Sequence, residues 1–131
     1  MHHLQQRLLH DFYQIESFSE TGAGACAAVL SLNARHPILE GHFPGFPVVP
    51  GVCMMQMTKE LLEHAIGRKT RLVSARSLKF LNILNPNENK TVRSELTYHE
   101  TESGQIEAES RLLDPESGTV FFKMKGTFCL Q

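Results

Sequence analysis

Apolar positions along this chain follow two rhythms, and the change between them divides it. Residues 12–19, FYQIESFS, alternate roughly, and residues 24–34, GACAAVLSLNA, form a run of small apolar side chains. With ETGAG (20–24) between them they predict an opening hairpin. From Val52 to Ile66 the chain has no proline or glycine, and leucine, methionine, lysine and glutamate dominate. These are good helix formers, and Gly51 and Gly67 supply a start and a stop. The first half of this helix is apolar on nearly every face. The second half sets Leu61, Leu62, Ala65 and Ile66 against Lys59, Glu60, Glu63 and His64. A helix that is apolar all round is buried all round.

After the helix the strand rhythm returns. Residues 70–84, 90–100, 105–114 and 119–130 read as strands, with turns at NPNEN (85–89), TESG (101–104) and PESG (115–118). Val92, Leu96 and Tyr98 fall on one face. Turns at such intervals predict an antiparallel meander. Residues 1–10 form a short amphipathic lead-in through Leu4, Leu8 and Leu9. Residues 35–51 hold four prolines and three glycines, a density that predicts an ordered loop with no regular element. The expected architecture is one α+β domain over residues 1–131, a curled antiparallel sheet wrapped around one central helix.

Bulk composition narrows the function classes. The chain has 131 residues and a formal net charge of −1, with 41% hydrophobic and 21% charged residues. No global field favours nucleic acid or an anionic membrane, and no apolar run approaches the ~20 residues of a membrane span. The start of the chain, MHHLQQRLLHDF, has no long apolar stretch of the signal-peptide kind. Cys26, Cys53 and Cys129 are odd in number and far apart, which fits small core residues in a reducing compartment. Cytoplasm is the expected location. His36 lies six residues from His42 with no carboxylate or cysteine to complete a ligand set, so no metal is expected.

The stretch HFPGFPVVPGVCMMQ (42–56) carries the chemistry. It resembles the His-Phe-Pro-x-x-Pro-(two residues)-Pro-Gly-Val motif of the hotdog-fold 3-hydroxyacyl-acyl carrier protein dehydratases. The spacing matches at His42, Phe43, Pro44, Pro47, Pro50, Gly51 and Val52. SLKFLNILNPNE (77–88) is similar to a second family stretch, a Lys/Arg-Phe pair before a proline-marked turn. The resemblance implies a hotdog fold, syn elimination of water from a 3-hydroxyacyl thioester, and no cofactor. It implies that His42 moves the C2 proton and that the N–H groups of Gly51 and Val52 hold the thioester carbonyl. Free N–H groups at a helix start suit that charge, and imidazole suits proton transfer near neutrality. Phe43, Pro50, Met55 and Glu60 are expected along the acyl tunnel.

One position departs from the pattern. Fourteen residues after His42, where the resemblance implies an acid that acts from the central helix of the partner subunit on the departing hydroxyl, stands Gln56. An amide is no ordinary proton donor. Glu60 follows one turn later, as though acid and amide were exchanged. Three readings stay open: a dehydratase with altered acid chemistry, a non-catalytic or weakly active hotdog subunit that binds acyl-carrier thioesters or pairs with a second hotdog chain, and a thioesterase. The expected partner is an acyl carrier protein, docking on Arg68, Lys69, Arg71, Arg76 and Lys79. The expected assembly is a homodimer, a higher oligomer of dimers, or a heterodimer with another hotdog subunit.

Overall fold

The computed structural model describes residues 7–40 and 47–131. His42 and Phe43, like Leu4 of the lead-in, lie outside the described residues. The elements run β1 (Tyr13–Gly22), β2 (Ala25–Leu32), α1 (Gly51–Ile66), β3 (Thr70–Phe80), β4 (Thr91–Glu100), β5 (Ile106–Leu113) and β6 (Val120–Leu130). The six strands form one sheet in the order β1-β2-β4-β5-β6-β3, each neighbour antiparallel. Wrapped around α1, this is the hotdog fold.

Two features of the pattern differ from expectation. The meander is β4-β5-β6, and β3 joins its far side against β6 instead of pairing with β4. NPNEN is not a hairpin turn. The Asn85 carbonyl accepts from the N–H groups of Glu88 and Asn89, and its side chain accepts from Asn87 N–H, so the segment coils once and carries the chain across to β4. The strand expected to reach residue 84 ends at Phe80, because the Leu84 carbonyl accepts from Val49 N–H at 2.9 Å and ties this crossing to the proline-rich loop. Within that loop Pro37–Leu39 makes one 3₁₀ turn, capped by His36 Nδ1, which accepts from Ile38 N–H.

Alternation decides which strand faces meet the helix. Val92, Leu96, Leu112, Phe122 and Phe128 point inward and are buried, as are Met57, Leu61 and Leu62 of α1. Each such side chain contributes about 1.5–3 kcal/mol on burial. Opposite them on β4 and β5, Arg93 and Arg111 bracket Glu95 at 2.9 and 2.7 Å on the outer face. Thr58 of the helix and Ser110 of β5 are both buried and satisfy each other, their hydroxyls 3.1 Å apart. The opening hairpin turns on Gly24, whose φ of 67° suits glycine, and a Cβ there would run into the Tyr98 carbonyl oxygen.

The helix stops at Gly67, left-handed at φ 71°, and Glu63 secures the exit. Its carboxylate accepts from Thr70 N–H at 2.7 Å, Thr70 Oγ1 at 3.2 Å and Lys59 Nζ at 3.0 Å. Burial alone would push its pKa up; the Thr70 N–H and the Lys59 ammonium outweigh burial and hold it below the ordinary carboxylate value. A folded pKa lowered in this way adds stability above the unfolded value of about 4.3. That stability is lost as pH falls through the folded value. The expected outcome is that wild type exceeds Glu63→Gln in urea midpoint at pH 7 and that the gap narrows steadily below about pH 4.

Candidate active site

The N-terminus of α1 opens on a cleft of about 660 Å³ between the loop residues Val48–Pro50 and the end of β3, with Phe80, Leu81 and Ile83 on its far wall. Pro50 is the helix cap and has no side-chain donor or acceptor to offer. Its carbonyl takes Cys53 N–H at 3.0 Å and Met54 N–H at 3.3 Å. The N–H groups of Gly51 and Val52 have no partner among the described residues, as expected for the first turn of a helix. A Cβ on Gly51 would lie 2.6 Å from the Phe80 ring, so any side chain there would have to push that ring aside. Pro50 and Gly51 thus line the mouth, while Val52 turns toward a neighbouring cleft, and the first turn of the helix leaves two donors that an oxyanion could meet.

Gln56 is one turn further along, half buried, and lines a smaller cleft of about 140 Å³ with Val52, Met55, Lys59, Leu72 and Phe128. Met55 therefore stands beside Gln56 and not in the mouth.

Glu60 lies elsewhere. Expected on the polar side and along the tunnel, it is 2% exposed, and its carboxylate is occupied inside the protein. Oε2 accepts from Leu8 N–H at 2.7 Å and Gln56 Nε2 at 2.9 Å; Oε1 accepts from Leu9 N–H at 2.9 Å and the Tyr13 hydroxyl at 2.9 Å. The correction has a physical cause. Helical periodicity places a charge on solvent, but here the segment before β1 covers that face and brings its own donors. Burial, then the Glu60 charge, pushes the Tyr13 phenol far up, so it stays a donor to Glu60 at any ordinary pH. The same two causes push Cys53 up to about 11, leaving a thiol that is unreactive near neutrality.

The five basic residues do not form one patch. Arg68 and Lys69 are exposed at the helix exit, with Arg71 at the start of β3. Lys79 is eight residues further along the strand, roughly 25 Å away at strand rise. Arg76 lies between and reaches Glu107 at 3.5 Å. Lys79 instead stands directly opposite Lys123, which neighbours Arg111, on the outer face of the sheet. Sequence reasoning missed Lys123 and Arg111 because the β3–β6 pairing that aligns them has no local signal.

With the geometry in place, comparison with known proteins decides the family. The model of the ApeI-like family, described as ApeI dehydratase, matches residues 18–111, more than half of the chain. The chain belongs to the ApeI-like dehydratase family. Two curated relatives of this ApeI-like chain are 3-hydroxyacyl-[acyl-carrier-protein] dehydratases FabZ. The protein of Ruminiclostridium cellulolyticum is 28% identical over 76 residues, 53% of this chain and 54% of its own length. That of Syntrophomonas wolfei is 29% identical over 76 residues, 53% of each chain. The chain spans about half the length of the curated relatives it matches. Among solved structures, the dehydratase heterocomplex ApeI:P from Xenorhabdus doucetiae superposes with a TM-score of 0.65 at 18% identity, covering 88% of this chain and 96% of that one. A hypothetical thioesterase from Streptococcus pneumoniae, solved with coenzyme A, gives 0.62 at 11% identity over 92% and 88%. At such identities these likenesses establish the hotdog fold alone.

The Glu60 cluster is expected to hold the opening of the chain to the helix. Tyr13→Phe, which removes one donor from a buried carboxylate and nothing else, should lower the unfolding free energy by about 2 kcal/mol in urea denaturation.

Proposed function

We propose that this ApeI-like chain is a 3-hydroxyacyl thioester dehydratase acting on an acyl chain carried by an acyl carrier protein. The observation that carries this reading is the family match across residues 18–111, which spans the His-Phe-Pro loop and the helix start. The uncapped N–H groups of Gly51 and Val52 support it, since C2 becomes acidic only when charge on the thioester oxygen is stabilised. His42 is the base in this reading, and the cleft at the head of α1 receives the thioester. Arg68, Lys69 and Arg71, exposed where the helix ends, are the positions proposed to receive the acidic carrier.

The activity is tested by following hydration of trans-2-enoyl thioesters and dehydration of 3-hydroxyacyl thioesters with the purified chain. Turnover that falls at least ~100-fold in His42→Ala is the expected result. A wild-type chain that binds the thioester without converting it would instead establish the binding-subunit reading.

A second chain belongs in this reading. Among the described residues β3 is hydrogen-bonded only to β6 and leaves its other edge open. Val73, Leu78, Phe80, Leu81 and Ile83 on and beyond it are exposed. We infer that this edge pairs with another hotdog subunit. β3 carries Arg71, Arg76 and Lys79 and no carboxylate. Self-pairing would line up like charges from two copies, whereas an acidic edge on a different chain would neutralise them. Self-association measured by light scattering should therefore tighten as salt screens the seam from roughly 0.05 to 0.5 M. A dimer that weakens over that range would exclude this account.

A further inference from the structure

The outer face of the sheet holds a groove of about 650 Å³ that shares no lining residue with the clefts around the start of α1. Five cations line it, Lys79, Arg93, Arg111, Lys123 and Lys125, against two carboxylates, Glu95 and Glu109. The chain as a whole has a formal net charge of −1, so the groove is a local concentration of positive charge. The register creates it. Lys79 of β3 stands directly opposite Lys123 of β6, and Lys123 directly opposite Arg111 of β5. Strands lie about 4.8 Å apart, so this row spans about 10 Å of backbone, and Lys125 follows about 7 Å along the same face of β6. Like charges placed opposite each other destabilise a sheet. Lys79, Lys123 and Lys125 make no ion pair among the described residues. Glu109 stands across from Lys125 without forming one.

Glu95 is committed elsewhere. One oxygen takes Arg111 Nε at 2.7 Å and the other takes Arg93 Nε at 2.9 Å. The hydrogen bonds from Arg93 and then Arg111 hold its carboxyl below the ordinary carboxylate value, so it stays ionised and keeps both guanidinium groups in place. Bonded through Nε, each guanidinium still has its two terminal NH₂ groups to offer.

We propose that this groove binds a small oligophosphate, a ligand with two or three linked phosphoryl groups, along the row Lys79–Lys123–Arg111. One phosphoryl group is too short to reach the whole row, while linked groups bring charge to each of its members. Lysine supplies point charges and arginine a fork of donors, and both suit phosphate oxygens. The concavity has the volume of a small-molecule site, whereas an acidic protein would need a broader surface. Its lining has no aromatic side chain, so a nucleobase would find nothing to stack on. The phosphoryl groups therefore carry the binding, whether free or borne by a nucleotide. The site is independent of the dehydratase reading and involves no covalent step.

Titration calorimetry of the intact protein with orthophosphate, pyrophosphate and tripolyphosphate tests this. Affinity should rise at least ~10-fold from orthophosphate to tripolyphosphate, as further charged hydrogen bonds form. ATP should bind no more tightly than tripolyphosphate. Lys79→Gln combined with Lys123→Gln should weaken tripolyphosphate at least ~10-fold. Arg68→Gln combined with Lys69→Gln, an equal change of charge at the helix exit, should have little effect. Equal losses in the two double variants would reduce the binding to general charge attraction and overturn the site. Orthophosphate binding as tightly as tripolyphosphate, or ATP binding where tripolyphosphate does not, would overturn it too. Polyglutamate that binds in place of tripolyphosphate would assign the face to an acidic protein instead. Urea unfolding guards against a folding defect in the variant. Tripolyphosphate should raise the wild-type midpoint more than that of Lys79→Gln with Lys123→Gln, and an equal rise in both would count against the groove.

Discussion

A carboxylate enclosed by a wrapped helix and sheet must find its donors inside the chain, and much of this structure is arranged around that requirement. Placing an ionised group in the interior costs several kcal/mol. Hydrogen bonds to a charged group each return about 1.5–3 kcal/mol, so one or two would leave Glu60 a liability. Four make it a fastening. Two come from backbone N–H groups just before β1, one from the first residue of β1 and one from the helix itself. The segment from Leu8 to Tyr13 is thereby fixed against the middle of α1, and Glu60 is closed off from solvent.

The sheet order follows from the same need to bury α1. A strand leaving the helix at Thr70 meets β6 at one edge, and the chain then crosses to lay β4 beside β2. This crossing is what places Phe80, Leu81 and Ile83 beside the helix N-terminus. The mouth of the cleft is therefore built from the point where β3 ends and the proline-rich loop is pinned by Val49 and Leu84. An apolar rim at an open strand edge is wasted on a lone molecule, and it is the physical reason for expecting a second chain there.

The parts legible in the sequence were those with local signals. The helix, its glycine stop, the opening hairpin and the alternation of β4 through β6 follow from periodicity and turn residues. A sheet wrapped around one helix followed from a helix too apolar to face water, and the hotdog class from the resemblance that residues 42–56 carry. The parts that were not legible depend on pairing between distant residues. Nothing in SLKFLNIL says that its strand lies against β6 and not β4. Nothing around Glu60 says that Leu8 and Leu9 will arrive to cover it. Lys79 reads as one more charge until the register sets it opposite Lys123. Gln56 was visible as an anomaly, but its meaning required knowing what stands one turn away.

That neighbour makes the exchange of acid and amide coherent. Hydrogen bonding between positions 56 and 60 needs one group that accepts and one that donates, and a glutamate and a glutamine satisfy it in either order. The surrounding donors break the tie. Leu8 and Leu9 present two fixed N–H groups to position 60. A glutamine there would direct its own NH₂ at some of the same donors, while a carboxylate accepts from all of them. Once the opening segment packs in this way, the acid is held at position 60 and the amide is left at position 56. A change in what covers the back of the helix thus dictates which chemical group stands at its front.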